Sequence, residues 1–249
     1  MNCIVFCMND KFVHYTRYMI EQVSRYDIST PKYVLVDDTV EQKIYDEFQY
    51  YGAKIINITK ESELIGVTSH GIKGYPPIVV SKLLIPLLDV FSPYDKILYL
   101  DSDIQILRDF SSIFDIDLEG HEIGAVPDHN IRTWMSDYKV KMMDMLKEHP
   151  ELHLKTEYIN SGVLLINNKL LRSEDRDELV SRISSLVRIG YEVQFEYPDQ
   201  DMINLCFDIS LIPNIYNKLY RFSQLTDHDI FLHHITHNKA DLDKLIANG

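Results

Sequence analysis

One stretch constrains the fold of this chain more than any other: residues 96–107, KILYLDSDIQIL. Ile97 to Leu100 is an apolar, β-favouring run, the pattern of a buried strand. It stops at Asp101-Ser102-Asp103. Side chains at i and i+2 of an extended segment share one side, so two carboxylates stand together where the strand ends. Like charges that close resist joint ionisation. A divalent cation removes that cost, and hard oxygen ligands suit magnesium or manganese. In open α/β sheets, ligands bind beyond the carboxyl ends of the strands. The stretch therefore predicts a metal site at the edge of a nucleotide pocket. The plainer reading is a solvated Asp-Ser-Asp turn.

The chain before this stretch alternates strand and helix. Residues 3–8 read as a strand and 13–24 as a helix, with Tyr15, Met19 and Val23 spaced four apart. Residues 32–36 form a second strand. A helix over 40–51 follows, with Thr39 as its N-cap and Gly52 as its stop. Residues 53–58 form a third strand. This βαβαβ order predicts half of a nucleotide-binding sheet. Residues 60–77, rich in glycine, threonine, serine and proline, read as a long loop of the kind used as a lid. Residues 79–91 read as a very apolar helix kinked at Pro86.

Downstream, 123–126 is a strand that leads into Asp128. Residues 139–148 are an amphipathic helix. Val163 to Ile166 is a buried strand, with Asn160-Ser161-Gly162 as a polar turn before it. Residues 170–189 read as one long helix stopped by Gly190. Pro198 opens a short helix carrying Asp199, Gln200 and Asp201. Residues 230–235 form the last strand, and a helix over 239–247 closes the chain. No linker divides it, so a single α/β domain is expected, with a donor half over about 1–105 and an acceptor half over about 106–249.

Composition excludes several classes. The net charge of −13 opposes a nucleic-acid partner, which requires a basic face. It opposes docking on anionic lipid by charge alone. An anionic ligand would need a metal and local cations to reverse the field. Three cysteines, Cys3, Cys7 and Cys206, argue against a disulfide framework and for the cytoplasm. There is no long apolar run for a transmembrane span, and the N-terminus lacks the pattern of a signal peptide.

Four constellations could carry chemistry. A G-x-G-x-x-G turn after the first strand is absent; Cys7-Met8-Asn9 stands there instead and could face a base or ribose. The segment His233-His234-Ile235-Thr236-His237 places His233 and His234 on opposite faces of a strand, so one of them can meet the aspartates. Lys239 could supply a cation to a diphosphate. Pro198-Asp199-Gln200-Asp201 and Asn160-Ser161 could bind hydroxyls, or serve as an N-cap and a turn.

The ordered set S-K-L-L-I-P-L-L, Y-D-K-I-L-Y-L-D-S-D, I-G-A-V, Y-I-N-S-G-V-L-L-I-N, D-Q-D-M-I-N and F-L-H-H-I-T-H-N-K resembles glycosyltransferase family 8, the group of glycogenin and the bacterial lipopolysaccharide galactosyltransferases and glucosyltransferases. The resemblance implies a Rossmann-like glycosyltransferase A fold, a UDP-sugar donor, manganese with magnesium as a substitute, and transfer with retention. It implies Asp101, Asp103 and His233 as metal ligands, His233 being chosen because it lies six residues before Lys239. Lys239 matches the lysine on the donor diphosphate, and Lys82 a basic position over the donor. Cys7, Met8 and Asn9 match the turn that holds uridine, and Ser102 lies between the acidic ligands. Asp128, Asn160, Ser161 and Gly162 match sugar-facing loops. Asp199 and Gln200 match the pair beneath the reacting sugar. A glycan, glycolipid or protein is the implied acceptor, with peripheral membrane contact open.

The end of the chain departs from the family pattern H-x-x-G-x-x-K-P-W. Thr236 replaces the glycine, and Ala240-Asp241 replace Pro-Trp. The sequence ends without the basic, aromatic C-terminal tail that some bacterial members use at membranes, either because none is needed or because the chain is truncated. Two other readings stand beside the enzyme. One is a nucleotide-sugar binder of the same fold with weak turnover. The other is a phosphatase of the haloacid dehalogenase type, whose D-x-D-x-T/V motif would have Gln105 at its last position.

Overall fold

The N-terminal alternation folds as its pattern predicts. In the computed structural model, which describes residues 1–128, 144–149, 152, 154, 157–219, 231–234, 243, 244, 246 and 247, β1 (Asn2–Met8), β2 (Lys32–Val36) and β3 (Ala53–Asn57) are parallel neighbours. α1 (Val13–Tyr26) and α2 (Gln42–Tyr50) are the crossovers, and the short α3 (Thr59–Leu64) follows β3. β4 (Lys96–Leu100) adds to the other side of β1, again parallel. β5 (Ile104–Ile106), β6 (Ile123–Pro127), β7 (Ile159–Ile166) and β8 (Ile209–Leu211) come next. α4 (Asn168–Leu171), α5 (Arg176–Val193) and α6 (Pro198–Cys206) lie between β7 and β8. β9 (Lys218–Leu219) and β10 (Leu232–His234) are the last strands among the described residues.

Seven strands form one mixed sheet in the order β3-β2-β1-β4-β7-β6-β8. β7 runs antiparallel to both β4 and β6. β5, β10 and β9 make a small second sheet. The alternating side chains of the strands feed two apolar layers. Cys3, Val5, Ile97, Tyr99, Leu164 and Ile166 pack with Leu83, Ile183 and Met202 on one face. Ile4, Phe6, Leu98, Leu100, Val163 and Leu165 pack with Met19 and Ile20 of α1 on the other.

The antiparallel insertion of β7 positions the site. The register pairs Leu100 with Val163, so the start of β7 lies beside the end of β4. The Asp101 N–H donates to the Gly162 carbonyl at 2.8 Å. α6 is tied to the same place. The Asn204 side chain accepts from Ile159 N at 2.8 Å and donates to Ile159 O at 3.0 Å.

Several local expectations differ from the structure. Asn160-Ser161-Gly162 is the opening of β7 rather than a turn before it, because β7 starts at Ile159. The expected helix over 79–91 is a 3₁₀ segment, Pro77–Leu87, followed by a second, Asp89–Phe91. Pro77 and Pro86 and the branched Ile78, Val79, Val80 and Ile85 disfavour a regular α-helix there. The expected long helix over 170–189 is interrupted by an N-cap at Asp175, whose carboxylate accepts from Asp177 N and Glu178 N. Gly190 lies inside α5, where Met202 and Phe195 would crowd any Cβ, and the helix ends at Gln194 in the left-handed region (φ 58°). Glu41, not Thr39, is the N-cap residue of α2; the Thr39 hydroxyl accepts from Asp10 N. The expected helix over 139–148 is described only from 144, and most of the expected closing helix lies outside the described residues.

Candidate active site

The site forms where β4 stops. The backbone turns at Ser102-Asp103 rather than continuing extended, yet the two carboxylates still converge. One ligand atom each from Asp101, Asp103 and His234 lies within 4.8 Å of the others. His234 Nε2 is 3.0 Å from Asp103 Oδ1. Among the described side chains, the histidine at the acid pair is His234; the side chain of His233, the expected ligand, lies outside what the structure describes. His233 is expected from its spacing to Lys239; the register of β10 against β5 sets His234 opposite Ile104 and His233 opposite Gln105. Gly162 makes the arrangement possible: a Cβ there would come 2.3 Å from His234 Cε1.

Lys82 occupies the centre. Its buried ammonium lies 2.7 Å from Asp199 Oδ2 and 3.3 Å from Asp101 Oδ1. It also donates to Ser161 O at 3.1 Å and Ser161 Oγ at 3.3 Å, and it stands 4.5 Å above the Tyr99 ring. The Tyr99 hydroxyl donates to Asp101 Oδ1. Ser161 Oγ donates to Asp199 Oδ2 at 2.7 Å.

A second web of amides lies beside these charges. Gln200 Nε2 donates to Asp128 Oδ2 at 3.0 Å. Gln200 Oε1 accepts from Ser161 N and from Asn160 Nδ2, each at 3.1 Å. Asn160 Nδ2 also reaches Asp128 Oδ2 at 3.3 Å. Tyr158 donates to Asp201 Oδ1, and Tyr197 N donates to Asp201 Oδ2 at 3.0 Å. Asp201 is fully buried.

Protonation follows from burial and neighbours. Burial opposes the charge of Lys82, but Asp101 and Asp199 outweigh it and raise the ammonium above its ordinary value. Burial also opposes the charges of Asp103 and His234; their mutual attraction wins, lowering the Asp103 carboxyl and raising the His234 imidazole. Asp101 is raised, because burial and the neighbouring Asp103 outweigh Lys82. Burial pushes the Cys7 thiol up to about 12. The donor set fits a divalent cation: two carboxylates and an imidazole suit manganese, and a cation would relieve the repulsion that raises Asp101.

The remaining expected residues fall around this centre. Cys7 lies at the end of β1, with Ser81 Oγ donating to its sulfur at 2.8 Å. The Met8 side chain is in the core, which leaves only its backbone for a ligand. Asn9 is buried, and its side chain caps the next turn by accepting from Lys11 N at 3.1 Å. Ser102 is buried, with its hydroxyl 2.8 Å from that of Thr16 in α1. Lys239 and Thr236 lie outside the described residues. Sequence reasoning missed Asn217, whose role depends on a contact 57 residues away, and Tyr99, for which the i, i+2 alternation with Asp101 is the available signal; for His234 the strand alternation is such a signal too. No described helix is long and apolar enough to cross a membrane.

Solved structures share this architecture. The galactosyltransferase LgtC, in complex with donor and acceptor sugar analogues, matches with a TM-score of 0.72 at 20% identity, over 100% of this chain and 96% of that one. The glycosyltransferase GlyE of Streptococcus pneumoniae TIGR4 matches with a TM-score of 0.62 at 20% identity, over 96% and 56%. These likenesses define the class, the glycosyltransferase A fold. Within it, the sequence profile of glycosyl transferase family 8 matches residues 3–240, and the chain belongs to that family. The match sets aside the dehalogenase-type reading. Relatives include the lipopolysaccharide 1,2-glucosyltransferase of Escherichia coli K12, 27% identical over 53% of this chain and 36% of that protein. Glycosyltransferase GlyA of Streptococcus pneumoniae serotype 4 is 23% identical over 72% of this chain. The chain spans only 24% of the length of GlyA.

Proposed function

We propose that this chain moves a hexose, glucose or galactose, from a UDP-sugar to an acceptor hydroxyl with retention of configuration, and that it needs a divalent metal. One observation carries the reading: Asp101 belongs both to the Asp101–Asp103–His234 cluster and to the Lys82–Asp199 ion-pair web. A diphosphate held at the first would place its sugar at the second. The acceptor is a glycan, glycolipid or protein.

Asp101, Asp103 and His234 would hold Mn2+, with Mg2+ as a substitute. When bound, the cation supplies Lewis-acid stabilisation of the diphosphate leaving group. Lys82 pairs with Asp101 and Asp199 and fixes both carboxylates in place. Asp199 uses Oδ2 for Lys82 and Ser161, which leaves Oδ1 for a sugar hydroxyl. Gln200 is a neutral amide with both ends committed, so it positions Asp128 and Ser161 rather than attacking carbon. We favour front-face attack by the acceptor hydroxyl, with its proton passing to a diphosphate oxygen. Lys239 and the backbone of Cys7, Met8 and Asn9 complete the donor site in this reading.

The test is UDP release from a panel of UDP-sugars, with Mn2+ and then EDTA, on wild type and Asp103→Ala. Release from one donor that is lost in EDTA and in the variant supports the proposal and names the sugar. Stabilisation by UDP and Mn2+ without release, even with acceptors supplied, would make the chain a binder and overturn it.

A further inference from the structure

Asn160 and Asn217 hold a position that sugar binding does not require. Both are buried, Asn217 to 1% exposure. The Asn160 amide has one permitted orientation. Its Nδ2 faces the Asp128 carboxylate at 3.3 Å and its Oδ1 faces the Gly162 N–H at 3.0 Å. A backbone N–H only donates, so the atom that faces it is the amide oxygen. Asn217 Nδ2 donates to that same oxygen at 2.9 Å. His234 Nδ1 is 3.1 Å from it. An amide oxygen cannot donate, so Nδ1 must carry a proton. On the other side of the ring, Nε2 donates to Asp103 Oδ1 at 3.0 Å, and this is the proton that a cation would displace. Asn217 Oδ1, meanwhile, is buried without a partner among the described residues. Such an orphaned group is costly, and it marks a side chain held for what its Nδ2 does.

We infer that Asn217 and Asn160 form an amide relay that fixes His234 with its proton on Nδ1 and its Nε2 lone pair available to the metal. The relay acts through His234, so both asparagines are positioning residues. Without Asn217, the Asn160 oxygen loses one of the donors that hold it toward the ring. A reversed Asn160 amide would put a donor against Nδ1, move the proton to Nε2 and block ligation. The inference rests on the proposed metal-dependent reading.

The test uses the full chain with 15N-labelled histidine, as wild type, Asn217→Asp and Asn217→Ala. Zn2+ serves as a diamagnetic probe for long-range 1H–15N spectra, with the His234 signal assigned by its loss in His234→Gln. Mn2+ affinity is read from the free-ion EPR signal. The wild type should show an Nδ1-protonated His234. Both variants should bind Mn2+ about ten- to a hundred-fold more weakly, the range for lost supports of a ligating histidine. A proton on Nε2 in the zinc-loaded wild type overturns the inference even if neither variant folds. Wild-type Mn2+ binding with unchanged affinity in the variants overturns it alone. No Mn2+ binding by the wild type overturns the metal reading and this inference together.

Discussion

β7 has buried charge at each end, and the two clusters differ in how they are neutralised. At its C-terminal end, Asn167 N donates to the carbonyl of Glu122. Glu122 Oε1 meets Arg182 of α5 at 2.8 Å, and Oε2 accepts from Asp208 N at 2.5 Å. Arg182 also meets Glu174 at 3.2 Å and stands 5.5 Å above the Phe207 ring. Two glutamates share this one arginine, whose Nε is buried without a partner among the described residues, and the contacts tie α5 to β6 and β8. At the N-terminal end, Asp101, Asp103 and Asp199 share Lys82 and His234, and Asp101 keeps a raised pKa. Buried charge needs a partner wherever it occurs. Each cluster has one carboxylate more than it has cations. At the rear the excess is a single Glu122–Glu174 contact, where burial and Glu122 hold the Glu174 carboxyl above its ordinary value. At the front, Asp101, Asp103 and His234 converge on one point that a cation would fit.

Lys82→Met should break the comparison most severely. It leaves Asp101 and Asp199 facing each other without their shared cation. UDP-sugar turnover should fall about 10²–10³-fold, the scale of losing one preorganised electrostatic group. Urea unfolding should show a loss of about 3 kcal/mol, the low end for breaking a buried pair. Preserved turnover would show that the front charges do not depend on Lys82.

Glu122→Gln should do the reverse. Unfolding free energy should drop by about 2 kcal/mol, below the fully buried range because Arg182 retains 30% side-chain exposure. Turnover should be unchanged, since distant sites act independently. The deficit should also depend on pH. Burial opposes the Glu122 charge, but the Asp208 N–H together with Glu174 and Arg182 holds its carboxyl below the ordinary glutamate value. A depressed folded pKa contributes stability that is fully present above the unfolded value and is lost as pH falls through the folded one. The gap between wild type and Glu122→Gln should therefore narrow in acid, starting near pH 4. A gap that widens in acid would assign the stabilisation to another group.

The same contrast explains what the sequence could reveal. The parallel strands and the acid pair were legible because each rests on a local pattern: an apolar run, a helical period, a polar stop. The opening of β7 was read as a turn because Asn-Ser-Gly has turn chemistry; its strand conformation comes from pairing with β4 and from Asn204. The place of His234 at the acid pair depends on the register of a three-residue strand, which no local pattern sets. The rear cluster was invisible, since Glu122 and Arg182 meet only after α5 has packed. Local order is written in neighbouring residues, whereas buried charge is neutralised by partners far along the chain.

Gly162→Ala sharpens the front side alone. A Cβ 2.3 Å from His234 Cε1 forces the ring away from β7. Mn2+ affinity should drop about ten-fold, the lower bound for disturbing a ligating histidine's surroundings. Equal affinity in the two proteins would show that the ring does not ligate from this position.

Thr16→Val should give the smallest effect, and it asks how far the front depends on the core behind it. Ser102 stands between Asp101 and Asp103, and its buried hydroxyl lies 2.8 Å from that of Thr16. Valine preserves the shape and leaves the Ser102 oxygen unpartnered, which should cost about 1 kcal/mol in unfolding free energy. If the acid pair is held chiefly by Tyr99, Lys82 and His234, Mn2+ affinity should stay within the error of the measurement. A loss of affinity larger than that stability change explains would make α1 part of the metal site's scaffold. The boundary between the apolar layer and the charged front would then lie one helix deeper.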